Sequence, residues 1–179
     1  MSQKLPVRNY KWLTDEELDV VRVDPLKFLE SIGENSEIGY FFEVDLSVPV
    51  EIHQKLDEYP PAPIKRAVRE DELSEYQLEQ KEVLGLSDNI FKTKKLICDL
   101  NPKKDYVTHY KLLKKYLDLG LKVDIVHKGV SFTQSAWMKP YITFNTERRK
   151  AATSDYDVKM CKDCNNCSYG NSLFQYENK

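Results

Sequence analysis

The sequence predicts an α+β fold, and three observations favour that class. The chain of 179 residues is 41% hydrophobic and 31% charged, which permits a packed core and excludes a disordered composition. Residues 38–46 form a nearly continuous run of aromatic and β-branched side chains, which is typical of a buried strand. Near the end of the chain, two helical segments joined by a short loop predict a helical hairpin.

The first 36 residues predict a scaffold segment. Residues 1–13 are an extended lead without a helical pattern. The run T-D-E-E at residues 14–17 is a capping box with acids in the first turn, so a helix begins there. The pair Asp24-Pro25 supplies an N-cap and a first-turn proline for a second helix, which ends at Gly33.

A carboxylate closes the predicted strand over residues 38–46. Asp45 lies at its C-terminal end, where a charged group is costly unless it is paired or binds a metal. Pro49 ends the strand, and residues 50–56 predict a short helix. The run Y-P-P-A-P at residues 59–63 then predicts an irregular, polyproline-like corner.

The middle of the chain predicts further helices and strands. Apolar residues at positions 106, 107, 110, 113, 116 and 117 follow a helical period. The predicted elements are a helix around 73–84 in an acidic segment, a strand over 95–100, a helix over 106–119 closed by Gly120, a strand over 122–127, and a turn at Gly129 followed by a hairpin partner over 130–134.

The last predicted helix carries a face suited to a nucleotide. One helix follows Pro140 to about residue 152, and a second runs over 156–169. On the second, Lys162, Asn166 and Tyr169 fall at i, i+4 and i+7, and the next residue, Gly170, is expected to end the helix. A compact cation suits phosphate, and an aromatic ring packs against a base or sugar, so this face suits a nucleoside triphosphate.

Charge is divided unevenly along the chain. The net charge is −2, but residues 1–91 carry −10 and residues 92–162 carry +9. A basic half suits a polyanionic partner, and it equally suits packing of the two halves against each other. No signal peptide and no apolar run long enough for a membrane span occur in the sequence, so we expect an intracellular protein without a membrane partner, in the nucleus or the cytoplasm.

The cysteines leave a metal site open as an alternative. Cys161, Cys164 and Cys167 could hold zinc or an iron–sulfur cluster, with Cys98 as a fourth ligand. Metal knuckles usually lie in glycine-containing loops, whereas this run lies on a predicted helix. We therefore favour small, buried helix cysteines. The three histidines are scattered in the sequence, and we interpret them as structural: His53, His109 and His127.

Eight sequence blocks occur in an order that resembles family B DNA polymerases. The resemblance is to the protein-primed, organellar and viral branch, as in self-synthesising DNA transposons of the Polinton or Maverick type, and it covers nearly the whole chain. The blocks are Y-K-W-L-T-D-E-E-L (10–18), G-Y-F-F-E-V-D-L-S-V-P (39–49), Y-P-P-A-P-I-K (59–65), L-S-E-Y-Q (73–77), Y-V-T-H-Y-K-L-L (106–113), G-L-K-V-D-I-V-H-K (120–128), Q-S-A-W-M-K-P-Y-I-T-F-N-T-E-R-R-K-A (134–151) and K-D-C-N-N-C-S-Y-G (162–170).

The resemblance implies a partial polymerase palm over residues 37–135 and fingers helices over 136–179, after the scaffold segment 1–36. Asp45 matches the first catalytic aspartate of the palm, at a strand end. It would hold Mg²⁺, and the backbone carbonyl of Leu46 would be a further metal ligand. The implied activity is DNA-directed DNA synthesis from deoxynucleoside triphosphates.

The resemblance also implies nucleotide-binding residues on both fingers helices. Lys162 matches the lysine that binds the triphosphate, Asn166 and Gly170 match the rest of that motif, and Tyr169 would line the nascent base pair. The preceding helix would offer phosphate-binding cations from the run Arg148, Arg149 and Lys150. The implied partners are a DNA primer–template, a deoxynucleoside triphosphate and, in this branch, a terminal protein primer.

Three departures from the family pattern shape the expectation. No second metal-binding aspartate motif or thumb follows within the sequence, Val48 stands where the family usually has an aromatic residue, and nothing resembles a proofreading exonuclease. We therefore expect a polymerase fragment without activity on its own. The alternative is a non-catalytic remnant of a mobile element that still binds nucleic acid or nucleotides.

Overall fold

A computed structural model of the chain describes residues 3–172; the side chains of residues 88, 90, 169, 171 and 172 lie outside that description. The described strands are β1 (Leu5–Trp12), β2 (Ile38–Ser47), β3 (Ile64–Arg66), β4 (Lys95–Ile97), β5 (Lys103–His109) and β6 (Lys122–Ser135). The described α-helices are α1 (Asp15–Val23), α2 (Pro25–Ser31), α3 (His53–Leu56), α4 (Glu75–Val83), α5 (Tyr110–Asp118), α6 (Lys139–Ala151) and α7 (Asp155–Ser172). Short 3₁₀ turns cover Val50–Ile52, Glu70–Glu72 and Asp88–Phe91.

The strands form one larger sheet and one separate pair. The larger sheet has the order β1-β6-β2-β5. Within it, β2 and β5 are antiparallel, with Phe42 opposite Thr108 and Val44 opposite Tyr106. β3 and β4 form a separate antiparallel pair. The predicted mixture of helices and antiparallel strands is therefore confirmed at this coarse level.

The chain divides into two compact units, each built from separate stretches. The central unit comprises Trp12–Gly33 and Tyr40–Val130. The C-terminal unit comprises Met1–Lys11, Glu34–Gly39 and Ser131–Lys179. The boundaries after residues 36 and 135 stay predictions about polymerase subdomains.

The core of the central unit lies against one face of β2. Burial alternates along that strand, so Phe42, Val44 and Leu46 point into the core. Other buried side chains come from α1, α2 and α5: Leu18, Val21, Leu29, Tyr110, Leu113 and Tyr116. The intervening residues of β2, including Asp45, are only half-buried. The strand was expected to be buried throughout, but only one of its faces is, and Asp45 lies on the other.

The predicted helix starts in the N-terminal scaffold are confirmed. The Thr14 hydroxyl accepts from the Glu17 backbone N–H at 3.3 Å, and the Glu17 carboxylate accepts from the Thr14 N–H at 2.8 Å. The Asp24 carboxylate caps α2 by accepting from the Lys27 N–H at 3.0 Å. These reciprocal bonds satisfy backbone donors that the first turn of a helix leaves free.

The helix predicted over residues 106–119 is wrong in its first turn. Residues up to His109 belong to β5, and α5 begins at Tyr110. Pairing with β2 outweighs the helical period here, because Tyr106 and Thr108 lie directly opposite residues of that strand. His109 then caps the helix, since its Nδ1 accepts from the Lys111 N–H at 3.3 Å.

The turn predicted at Gly129 is also wrong, because β6 continues through it to Ser135. A Cβ at Gly129 would lie 2.6 Å from the Leu13 Cδ1 and 3.0 Å from the Phe42 ring. The Leu13 N–H also donates to the Gly129 carbonyl at 2.9 Å. The glycine therefore serves close packing within a strand rather than a change of direction.

The two C-terminal helices form as predicted, except at their end. α7 runs through Gly170 to Ser172, so Gly170 does not end the helix as expected. Across residues 3–172, no helix combines the length and apolar character needed to cross a membrane.

Candidate functional site

A β-bulge lies beside Asp45. Val44 pairs with Tyr106 and Leu46 pairs with Lys103, so two residues of β5 face the single residue Asp45. One of them, Asp105, has a left-handed backbone with φ of 51°, a conformation that aspartate tolerates better than most residues. Its backbone N–H donates to the Asp45 Oδ1 at 2.9 Å. The bulge thus turns a backbone donor and a second carboxylate towards the predicted catalytic residue.

His127 from β6 completes a group of three metal-ligating side chains. Its Nε2 lies 2.8 Å from the Asp45 Oδ1 and 3.6 Å from the Asp105 Oδ1. One ligand atom from each of the three residues lies within 4.8 Å of the others. The side chains of Asp45, His127 and Asp105 are 16%, 30% and 72% exposed, so the group opens to solvent. No second such group of three or more occurs among the side chains that the structure describes.

The hydrogen bonds at Asp45 favour its charged form. The backbone hydrogen bond from Asp105 and then the one from His127 lower the pKa of Asp45, and they outweigh the opposing effect of burial. The positive charge of Lys104 acts in the same direction. Asp45 is therefore a carboxylate at neutral pH and can act as a metal ligand.

The oxygen ligands of this group suit Mg²⁺ better than its nitrogen ligand does. The two carboxylates are ligands that Mg²⁺ accepts. Leu46 follows Asp45 in β2 with its side chain in the core and pairs with Lys103 of β5, and a metal contact to its backbone carbonyl stays a prediction. The imidazole of His127 is a ligand typical of transition metals rather than of Mg²⁺. The donor set therefore fits Mg²⁺ through Asp45 and Asp105 alone.

The residues around this group differ partly from the sequence-based expectation. His127, interpreted as structural, contacts the predicted catalytic aspartate, and Asp105 was not singled out at all. His53 has a structural contact, since its Nε2 lies 3.0 Å from the Val48 carbonyl oxygen. The Val48 side chain is buried in the core, and its effect on a sugar pocket stays a prediction.

The predicted nucleotide-binding residues lie on the hairpin of α6 and α7 in the C-terminal unit. Lys162 and Asn166 are both exposed and lie one helical turn apart on α7. The Tyr169 side chain lies outside the described residues. Gly170 is exposed, with no atom within 4 Å of the position that a Cβ would take.

A buried amide pair joins the two helices next to that face. Asn145 of α6 is 6% exposed and its Nδ2 donates to the Asn165 Oδ1 at 3.0 Å. Asn165 therefore faces α6, and its neighbour Asn166 is left exposed. The family resemblance assigns the nucleotide to Asn166, and this orientation leaves that residue accessible.

Among the side chains that the structure describes, four cations of the hairpin form no ion pair. Arg148, Arg149 and Lys150 occupy the last turn of α6, where positive charge is favourable against the helix dipole. All three are exposed, as is Lys162. Within residues 3–172, none of these four forms an ion pair with an acidic side chain.

The cysteines do not gather into a metal site among the described residues. Cys161 is buried, Cys164 is half-buried and Cys167 is exposed, so the three thiols differ in environment along α7. Cys98 is exposed and belongs to the central unit. The metal-binding alternative for these cysteines therefore has no support in the described geometry.

Comparisons with protein-family models, with curated proteins and with solved structures find no match to this chain.

Proposed function

We propose that this chain is the palm-and-fingers part of a family B DNA polymerase and serves DNA-directed DNA synthesis. The reaction is nucleotidyl transfer from deoxynucleoside triphosphates to a primer end. The order of the eight sequence blocks supports the family. The observation that carries the nucleotide-binding role is the exposed pair Lys162 and Asn166 on α7, beside a second helix whose cations have no ion-pair partner among the described residues.

The palm part of the proposal rests on Asp45. It is an ionised carboxylate on the side of β2 that faces away from the core, as a metal-holding aspartate must be. Bound Mg²⁺ would neutralise the charge that develops on the transferred phosphoryl group. The chain itself contributes an oriented carboxylate, since the Asp105 backbone N–H holds one of its oxygens in place.

The fingers part of the proposal rests on charge and position. Phosphoryl transfer depends on positioning and electrostatic stabilisation more than on covalent chemistry. Lys162 offers a compact ammonium group to a triphosphate, and the cations Arg148, Arg149 and Lys150 offer further donors to phosphate oxygens. These side chains are exposed and form no ion pair with an acidic side chain among the described residues.

A non-catalytic nucleic-acid-binding protein is the second candidate. The Asp45 Oδ1 already has two partners, the Asp105 N–H and the His127 ring, whereas the basic hairpin belongs to a different unit. Binding through the hairpin does not require Asp45. The two candidates therefore make different predictions for a variant at this position.

Titration with a labelled primer–template, followed by addition of deoxynucleotides and Mg²⁺, tests the proposal. We expect binding that weakens as salt increases, and nucleotide binding that Lys162→Ala weakens. Primer extension that Asp45→Ala abolishes, with DNA binding retained, supports the polymerase. Binding without extension agrees with the expected inactivity of the chain on its own and does not separate the two candidates. In that case Mg²⁺-dependent binding of a deoxynucleotide that Asp45→Ala weakens favours the polymerase, and binding that Asp45→Ala leaves unchanged favours the non-catalytic candidate. Absence of binding at low salt contradicts both.

A further inference from the structure

We propose that Asp45, Asp105 and His127 together bind one divalent transition-metal ion, Mn²⁺ or Zn²⁺, in preference to Mg²⁺. The role of that ion in nucleotidyl transfer rests on the proposed function. Its binding does not, and can be measured without DNA or nucleotide. The inference assigns two ligands, Asp105 and His127, that the resemblance to polymerases does not supply.

The distances within the group suit a single ion. Ligands that each lie about 2.1 Å from a metal are separated by about 3.0 Å at neighbouring octahedral positions and by about 3.4 Å in a tetrahedron. The His127 Nε2 lies 2.8 Å from one carboxylate oxygen and 3.6 Å from the other. Both separations are close to these edges, and the two carboxylate ligand atoms lie within 4.8 Å of each other, so side-chain rotation would have to bring that third pair closer.

The charge of the group calls for a divalent cation. The group brings two carboxylates and an imidazole together, with their ligand atoms within 4.8 Å of one another, and the positive charge of Lys104 offsets part of the negative charge. The nearby Lys128 is engaged elsewhere, since its Nζ lies 3.5 Å from the Glu43 carboxylate. In the free chain the His127 Nε2 donates a proton to its hydrogen bond with the Asp45 carboxylate. Binding of a divalent ion would replace that hydrogen bond with two metal–ligand bonds, and the Nε2 proton would be released to solvent or the ring would carry its proton on Nδ1 instead.

The imidazole determines which ion is favoured. Mg²⁺ binds oxygen ligands and retains its waters, whereas Mn²⁺ and especially Zn²⁺ accept imidazole nitrogen. The three ligands come from β2 and from the strands on either side of it in the sheet, β5 and β6. Strands hold side chains in more constant positions than loops do, so the ligand set is largely formed before the metal binds.

Titration of the full chain with Mn²⁺ alone tests the inference. Binding is measured as the decrease in the electron paramagnetic resonance signal of free Mn²⁺. We expect one bound ion per chain. His127→Ala and Asp105→Asn should each weaken binding by about 10- to 100-fold. Asparagine tolerates the left-handed backbone at position 105, so that variant keeps the bulge. Asp118→Asn, which removes an exposed acid at the end of α5, should leave the affinity unchanged.

Competition with Mg²⁺ and Zn²⁺ tests the role of the imidazole. We expect Zn²⁺ to displace Mn²⁺ at lower concentration than Mg²⁺ does, and His127→Asp to narrow the difference between Mn²⁺ and Mg²⁺ by at least tenfold. Thermal unfolding by circular dichroism verifies that each variant is folded.

Two results overturn the inference: no stoichiometric Mn²⁺ binding by the folded chain, or binding by His127→Ala within twofold of the parent. Neither result bears on the proposed polymerase function, which fails separately if primer–template binding is absent. Conversely, Mn²⁺ binding through His127 in a chain that does not bind DNA would support the metal site and contradict the polymerase.

Discussion

Two sets of cations in this chain differ in their surroundings. In the central unit, the Lys103 side chain is 1% exposed and donates to the carboxylate of Asp99. Arg66 donates to the same carboxylate at 2.9 Å and to Glu72 at 2.7 Å. In the C-terminal unit, the cations predicted to bind phosphate are exposed and have no ion-pair partner among the described residues: Arg148, Arg149, Lys150 and Lys162.

The difference indicates what each set does. A buried cation needs its acid, because removal of the partner leaves a charge without compensation. An exposed cation contributes little to folding. The cations paired with acids in the central unit, above all the buried Lys103, are therefore expected to affect stability, and the effects of the exposed set are to be sought in the binding of a polyanion.

The largest expected effect is loss of stability on replacing Asp99. Asp99→Asn leaves the buried Lys103 with an amide in place of its carboxylate, and should lower the free energy of unfolding by about 3 kcal/mol. Urea denaturation measures this change. Asp71→Asn is the matched control, since Asp71 pairs with Arg69 at the surface and both side chains are 71% exposed. The control should change stability by less than about 0.5 kcal/mol. Equal losses of stability in the two variants would contradict the distinction between buried and surface ion pairs.

The same ion pairs should weaken in acid. Burial acts to raise the pKa of Asp99, but hydrogen bonds from Lys103 and Arg66 outweigh it and lower the pKa to about 2. The hydrogen bond from Arg66, followed by the one from the Arg69 backbone, lowers the pKa of Glu72 to about 2.

A carboxyl with a depressed pKa stabilises the folded state above its unfolded pKa of about 4. That contribution should persist at neutral pH and be lost as the pH falls from about 4 to 2. Urea denaturation as a function of pH measures it. The double variant Asp99→Asn, Glu72→Gln should show a flatter slope in this range, and an unchanged slope would mean that other carboxyls control acid unfolding.

A smaller effect is expected at the buried amide pair of the hairpin. Asn165→Leu leaves the Asn145 amide without its partner, and should cost about 1–3 kcal/mol in the free energy of unfolding. The adjacent Asn166→Leu lies on the exposed side and should cost less than about 0.5 kcal/mol. Thermal unfolding compares the two stabilities. Asn166→Leu, but not Asn165→Leu, should weaken nucleotide binding at a temperature where both variants are folded.

The hairpin shows what a sequence predicts well. The spacing of Lys162 and Asn166 is a local property, because residues four apart lie on the same face of any α-helix. Helical periodicity was therefore enough to place these residues together. The end of the helix was less predictable, since glycine permits a helix to stop but does not require it, and α7 continues through Gly170.

The group around Asp45 shows what a sequence does not predict. Asp105 and His127 lie 60 and 82 positions after Asp45, and only strand pairing brings them together. The segment before Tyr110 has apolar spacing that fits a helix, so the bulge that presents Asp105 was hidden. The alternating pattern around His127 predicted a strand, which the structure shows as β6. The contact of His127 with Asp45 could not be predicted, because it depends on the order of the strands in the sheet.

The smallest expected effect on stability is paired with a clear effect on binding. Replacing Arg148, Arg149 and Lys150 together by Gln should change the free energy of unfolding by less than about 0.5 kcal/mol, because the three side chains are exposed and without ion pairs among the described residues. The salt dependence of primer–template binding should fall, by about one in the slope of log K against log salt for each cation that contacts a phosphate.

Replacement of the exposed lysines Lys92, Lys94 and Lys95 by Gln removes the same charge from the basic half of the sequence and serves as the matched control. If the hairpin binds DNA directly, this control should leave the slope nearly unchanged. Equal losses in the two triple variants would mean that binding depends on total charge alone. The exposed cations of the hairpin would then have no role distinct from that of any other basic surface.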